Sequence, residues 1–377
     1  MHEPTSWATF AGRRATHAVE CVDLTAQPER LDSGLWFVVV DFEAGLGRDG
    51  TPRDGGRARA WRFADVEPAS AAPGGTPDGP GWRGPRPSDW TTSLDRDAYV
   101  RAVATVRERV RRGDVYQVNV CRVLSAPLGA PDAAGDVVEP DAAALAARLA
   151  AGNPAPYAAA VHVPAASGLD PVWVVSASPE LYLSLDVGPG GEATLASGPI
   201  KGTARAPSGL TMKDRAENVM ITDLVRNDLQ RVCRPGTVEV TDLLGVEEHP
   251  GLVHLVSRVR GELLDDGAGR WARALEATFP PGSVSGAPKS TALRLIAELE
   301  PTARGPYCGA VGWVDGDAGR AELAVGIRTF WWEDGADGGV LRFGTGAGIT
   351  WGSDPEREWD ETELKADRLV GLASSDR

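Results

Sequence analysis

The sequence predicts an α+β fold built on a mixed or antiparallel sheet. Three observations carry this. Strand candidates run in tandem at 157–163, 172–176 and 181–185, and again at 307–314, 321–332 and 340–343, without the regular βαβ alternation of a parallel sheet. Stretches with apolar residues at helical spacing stand apart from these runs. With 377 residues and 42% hydrophobic content, the chain can also fill a sizeable core.

Residues 1–30 carry no clear pattern, and 35–40 (Leu-Trp-Phe-Val-Val-Val) read as a buried strand. From 43 to 90, Gly, Pro, Arg and Asp dominate, which predicts a long irregular connection with only brief strands such as 60–63. Tyr99, Val103, Val106 and Val110 then recur at helical spacing until Gly113 ends the helix. A strand at 115–124, a Gly/Pro/Asp loop at 128–140 and an alanine-rich helix at 141–151 follow.

After the first strand triplet comes Ser197-Gly198-Pro199-Ile200-Lys201-Gly202-Thr203. It reads as a constrained turn: Pro199 fixes its own φ and restricts Gly198, while Gly202 opens conformations closed to other residues. Such a turn can aim the amine of Lys201 at one point. A helix over 211–232 presents Ala216, Met220 and Leu224 as its apolar face. Strands at 237–243 and 253–263 and a helix at 271–278 lead to the tight loop 280–289, which opens a helix running to 299 with Pro288 near its first turn. The last helix starts near Asp354-Pro355 and passes Leu369. The chain divides into an N-terminal strand and loop region (1–90), integrated into the main body, and a principal domain (91–377).

A net charge of −14 counts against nucleic acid or an acidic membrane surface as the main partner. Cys21, Cys121, Cys233 and Cys308 are scattered and form no CxxC pair, so they read as buried thiols of a reducing compartment. No apolar run reaches about 18 residues, and the N-terminus lacks a basic-then-apolar leader. The expectation is a soluble cytoplasmic chain.

Two helices carry paired acids at i and i+3: Asp214 with Glu217, and Glu358 with Glu361. If the two faces meet, like charges at about 4 Å cost on the order of 4 kcal/mol each at an effective dielectric of 20. Protonation or a cation relieves that, and hard oxygen donors without His or Cys select Mg²⁺. Lys365, one turn beyond Glu361, could balance charge or hold a substrate anion.

Anion receivers form a second set. Gly346-Ala347-Gly348 lets backbone N–H groups approach a ligand, and the 282–289 loop opens a helix whose N-terminus favours an anion. Only two residues separate Gly286 from Lys289, so a nucleotide-binding phosphate loop is excluded. Arg328, in an otherwise apolar strand, suits either a carboxylate ligand or a structural ion pair. Glu180 could be a turn residue or a general acid, His254 reads as a core histidine, and Tyr307 as core or a hydroxyl donor. The residues alone reach a Mg²⁺-dependent site for a small polycarboxylate with a lysine aimed into it.

Taken in order, Tyr116-Gln117-Val118-Asn119, Ser178-Pro179-Glu180, Pro199 to Thr203, Asp214 to Asn218, Asp223 to Asp228, His254 to Ser257, Ser285 to Lys289, Gly346 to Gly348 and Glu358 to Lys365 resemble the chorismate-utilising enzymes over roughly residues 90 to 372. The resemblance implies a large two-sheet α/β sandwich with helices packed outside. It implies Mg²⁺ on Glu217 and Glu361, with Asp214 and Glu358 in or near the surrounding shell. It also implies that Tyr307, Arg328, Gly346, Gly348 and Lys365 receive the carboxylates of chorismate. Ser283 stands where a threonine is common in a substrate-binding loop.

Glu180 matches the acid that protonates the departing C4 hydroxyl, and Thr203 and His254 match residues lining that hydroxyl's pocket. Where water-using members carry a general-base lysine, this chain has Gln117, which cannot take a proton. Lys201 stands where anthranilate synthases have alanine, a substitution that resembles component I of aminodeoxychorismate synthases and implies a covalent lysine intermediate. Ammonia is then expected from a separate glutamine amidotransferase subunit, since no Gly-x-Cys-x-Gly nucleophile occurs. The alternatives are anthranilate synthase component I and a catalytically silent chorismate-binding homologue.

Overall fold

The computed structural model describes residues 5–45, 55–68, 81–129, 137–188, 190–204, 206–249, 252–264, 269–335 and 338–375. The described helices are α1 (Arg96–Arg112), α2 (Ala142–Gly152), α3 (Met212–Gln230), α4 (Arg270–Thr278), α5 (Lys289–Leu299) and α6 (Pro355–Ala373). Four of them, α1, α2, α3 and α6, start on a side-chain cap. The Asp95 carboxylate accepts from the Ala98 N–H at 2.8 Å, and Gly113, at φ 80°, closes α1. Thr211 and Asp214 form a reciprocal capping box at the start of α3.

Every described strand pairing is antiparallel, which narrows the expected sheet to one type. The pairings make one unbroken path. It runs Glu239–His249, Leu252–Glu262, Ala193–Gly198, Leu181–Val187, Arg320–Val325, Ala310–Asp315, Leu35–Val40 and Ala58–Pro68. It continues through Arg13–Asp23, Trp7–Phe10, Tyr157–Val163, Val172–Ser178, Thr329–Glu333, Val340–Ile349 and Gln117–Pro127. Ile200–Ala204 adds to Leu252–Glu262, and the short pairs Thr91–Thr92 and Gly286–Ala287 add to Gln117–Pro127.

Alternation along the strands sorts side chains between two cores. Ala159, Val161, Val172 and Val174 join a large core shared with Phe37, Leu183, Val311 and Leu323. Ala160, Trp173, Val175 and Ala177 point the other way, into a smaller core with Leu145 and Leu149 of α2 and Leu369 of α6. One half of the sheet is therefore covered on both faces: by the other half, and by helices.

At two neighbouring points the chain leaves one half of this path for the other: at 179–180 and at 326–328. The two crossings are tied together, because the Val325 N–H donates to the Glu180 carbonyl and the Ala177 N–H to the Arg328 carbonyl, both at 3.0 Å. They explain one departure from the sequence reading. The expected strand 321–332 is two strands, Arg320–Val325 and Thr329–Glu333, and Arg328 sits in the break at φ 54°.

Other departures have local causes. Residues 1–30 contain the strands Trp7–Phe10, only four residues long, and Arg13–Asp23, whose charged residues break its hydrophobic alternation; the brief strand expected at 60–63 is part of the longer Ala58–Pro68, whose last residues are exposed. The expected loops at 43–90 and 128–140 fall partly outside the described residues. On α3 the buried face is Asn218, Ile221, Thr222, Val225, Asp228 and Leu229, not Ala216, Met220 and Leu224. Polar residues make half of that face, and their hydrogen bonds replace hydrophobicity as its signature. Of the four thiols, Cys21 is only half-buried.

Candidate active site

The candidate site forms where Gln117–Pro127 lies against Val340–Ile349. The glycine run falls inside this ladder, with Gly346 opposite Cys121 and Gly348 opposite Asn119, so it is strand and not the terminal loop expected. A Cβ at Gly348 would lie 2.7 Å from the Gln117 Nε2 and 3.5 Å from the Lys201 Nζ. Amide and amine thus converge over bare backbone. Gln117 is fully buried, and neither atom of its amide has a hydrogen-bond partner. An unpaired buried polar group costs about 1–3 kcal/mol, which makes this amide a candidate ligand contact.

Lys201 reaches this point from a bulged strand, not from the expected turn. Pro199 divides Ala193–Gly198 from Ile200–Ala204, and the register against Leu252–Glu262 shifts between Lys201 and Thr203 at Gly202, φ 77°. The Lys201 Nζ donates to the Ser283 carbonyl at 3.1 Å. Glu180 is buried beside it, hydrogen-bonded to the Ser283 side chain. Burial pushes the Glu180 carboxyl up to about 7; the Ser283 bond, the Lys201 charge and the backbone at Ile200 pull it partly back. Thr203 pairs through its backbone with the buried His254, while its side chain lies outside the described residues.

The acids on α3 and α6 do approach each other. The Lys213 Nζ lies 2.8 Å from Glu358 and 3.7 Å from Glu217, bridging the two helices. Burial raises the Glu217 carboxyl most, Lys201 and Lys213 oppose that, and Glu358 and Glu361 add to it. Glu361 is held below the usual carboxylate range, chiefly by Lys365 at 2.6 Å. Asp214 does not join them: its carboxylate accepts from the Thr211 N–H and hydroxyl as the cap of its own helix.

Among the described residues no three metal-ligating side chains form a ready cluster. The donors nevertheless suit a hard cation. They are all carboxylate oxygens, and the Glu217 Oε1 is buried without a hydrogen bond.

On the opposite side, the Lys365 Nζ also donates to the Gly346 carbonyl at 3.0 Å. Tyr307 is buried, its hydroxyl accepting from the Cys121 thiol at 3.8 Å, and its ring lies so close to Gly344 that a Cβ there would be 2.0 Å away. Burial and the charge of Arg368 lower the Arg328 guanidinium, and among the described residues no carboxylate pairs with it.

Sequence reasoning passed over three cationic anchors. Lys213 is one. Arg304 is 1% exposed, pairs with Glu300 at 2.6 Å, and donates to the Val284 and Asn119 carbonyls at 2.8 Å, so it fixes the loop next to Ser283 to the strand that carries Gln117. Lys289 pairs with Asp228 at 2.7 Å. Lys213 and Lys289 open helices and Arg304 lies in the loop after one, positions that sequence alone reads as solvated. The usable signal was spacing: Lys213 and Glu217, like Glu300 and Arg304, stand at i and i+4.

A buried carboxyl titrating near neutrality, an amine and an unpartnered amide facing one point serve an enzyme acting on a small anionic molecule. The chain belongs to the chorismate binding enzymes, whose family model matches residues 64–371. It is 37% identical over 294 residues to anthranilate synthase component 1 of Aeropyrum pernix, covering 74% of this chain and 60% of that protein. To the Streptomyces coelicolor protein of the same name it is 38% identical, covering 74% and 52%. The chain thus spans about half to three fifths of the length of these curated relatives. The crystal structure of anthranilate synthase component I from Streptococcus pneumoniae superposes with a TM-score of 0.73 over 98% of this chain and 91% of that one, at 22% identity, which establishes the fold.

Proposed function

We propose that this chain aminates chorismate at C4, as the chorismate-converting component of an aminodeoxychorismate synthase. The observation that carries the reading is the Lys201 amine meeting Gln117 and Gly348 beside the buried Glu180. In this reading the Lys201 amine attacks C2 of chorismate. The ring double bond shifts, and the C4 hydroxyl departs as water with a proton from Glu180. Ammonia then bonds to C4, the C2–nitrogen bond breaks, and Lys201 returns as the amine. The proton shed by the incoming nitrogen restores Glu180, so the sum is chorismate plus ammonia giving 4-amino-4-deoxychorismate plus water.

Gln117 supports the reading because an amide cannot activate water for attack at C2. Gln117, Tyr307, Arg328, Lys365 and the backbone at Gly346 and Gly348 bind and orient the substrate, with Ser283, Thr203 and His254 beside the leaving group. Mg²⁺, held by Glu217 and Glu361 with Glu358 beside them, would neutralise the ring carboxylate. Asp214 acts at a distance, by capping α3. Ammonia comes from a glutamine amidotransferase subunit.

The second reading is anthranilate synthase component I, and the names of the curated relatives favour it. Product identity decides. The purified chain is incubated with chorismate, Mg²⁺ and ammonium, and the product is identified by chromatography against ortho- and para-aminated standards. The para product is expected, with a mass adduct on the Lys201 peptide when ammonia is withheld. Lys201→Arg and Lys201→Ala should both lose para amination, because a guanidinium stays protonated and alanine has no amine. Ortho product, or undiminished para amination by Lys201→Arg, overturns the proposal.

A further inference from the structure

Lys213 is the residue that the reading above leaves without work. It opens α3, four residues before Glu217, yet its ammonium does not stay on its own helix. It crosses to α6 and pairs with Glu358 at 2.8 Å, while standing 3.7 Å from Glu217. The Glu358 side chain is 3% exposed and that of Glu217 14%, whereas Lys213 itself is 44% exposed. A half-solvated cation is therefore seated between two largely buried acids.

We propose that Lys213 is an internal placeholder for the divalent cation: its ammonium holds Glu217 and Glu358 together before metal arrives and must swing out to admit it. The proposal rests on the magnesium reading above.

Three features of the geometry carry it. First, the distance to Glu217 is ion-pair range but beyond a hydrogen bond, so the Glu217 Oε1 keeps its coordinating position free. Second, the two neighbouring ammonium groups are differently committed. Lys365 is fastened to Glu361 at 2.6 Å and to the Gly346 carbonyl at 3.0 Å, whereas among the described residues the Lys213 ammonium contacts acids alone. Third, removing the cation without replacement would leave one buried carboxylate beside another with no compensating charge, a destabilised arrangement. A flexible lysine fills that place reversibly, because its four-carbon stem can swing the charge into water.

The test is calorimetric titration of the chain with MgCl₂ in the absence of chorismate, comparing wild type with Lys213→Met and Lys213→Arg, alongside thermal unfolding of each without metal. If the ammonium competes with the metal, Lys213→Met binds Mg²⁺ at least fivefold tighter than wild type. It also unfolds at lower temperature without metal and regains more on Mg²⁺ addition, while Lys213→Arg stays close to wild type in both. If wild type binds Mg²⁺ and Lys213→Met binds it equally or more weakly, Lys213 is not a placeholder and the magnesium reading stands. If neither binds at millimolar Mg²⁺, the magnesium reading fails and the placeholder falls with it. Should Lys213→Met fail to fold, Lys213→Gln, which keeps a polar contact to Glu358, is titrated in its place with the same outcomes.

Discussion

Glu180 lies in the crossing between Val172–Ser178 and Leu181–Val187, with only 3% of its surface exposed. Its carboxyl, raised to about 7, is protonated over the range in which a general acid must give up a proton. Turnover should therefore fall as pH rises through about 7, and Glu180→Gln should lower kcat by about 10²–10⁴ while flattening that limb, as a pH series of initial rates would report. The same shift has a stability sign. The folded pKa exceeds the ordinary 4.5, so the stabilisation is complete below 4.5 and is lost as pH climbs through about 7. At pH 8 the glutamine variant should be the more stable by roughly 3 kcal/mol in urea titrations. At this scale the sequence was informative about residue type and silent about neighbours. Glu180, Lys201 and Gln117 stood out by the segments they sit in. That the Gln117 amide has no partner, and that Asp214 serves its own helix end, are facts of packing which no spacing rule contains.

The helices differ in how their positions are fixed. α1 was legible because Tyr99, Val103 and Val106 make an apolar stripe between a carboxylate cap and a left-handed glycine. α3 was legible in extent but not in orientation, since Asn218, Thr222 and Asp228 go inward. Asn218 donates to the Leu255 carbonyl at 3.0 Å, and the Thr222 hydroxyl to the Asn218 carbonyl at 2.7 Å. The loop after α4 is fixed by a charge from beyond α5, through Arg304. Arg304→Ala leaves Glu300, which also accepts from the Cys121 N–H at 2.9 Å, as a buried unpaired carboxylate. It should cost about 3–5 kcal/mol in equilibrium unfolding, against near-neutrality for a double replacement of Arg304 and Glu300 by apolar residues of similar volume. The tandem strands were legible from their apolar runs, whereas Arg13–Asp23 was not, and Ala58–Pro68 was legible only as its short stretch 60–63. They pair with each other over most of their length and charged residues interrupt both, so no long hydrophobic run announces them.

For the whole molecule, the unbroken pairing path sets the order in which the chain can be completed on the ribosome. Leu35–Val40 is flanked in the native sheet by Ala58–Pro68 on one side and by Ala310–Asp315 on the other. Trp7–Phe10 likewise waits for Tyr157–Val163. Synthesis at roughly 5–20 residues per second leaves the open edge of Leu35–Val40 exposed for on the order of tens of seconds. That strand is apolar at nearly every position, which makes its bare edge adhesive to other nascent chains. A fragment ending at residue 300 should therefore pellet on centrifugation after expression, with the full chain remaining in the supernatant. An early strand that waits for a late one predicts a yield that depends on holdase chaperones and elongation rate more than on the final stability of the fold.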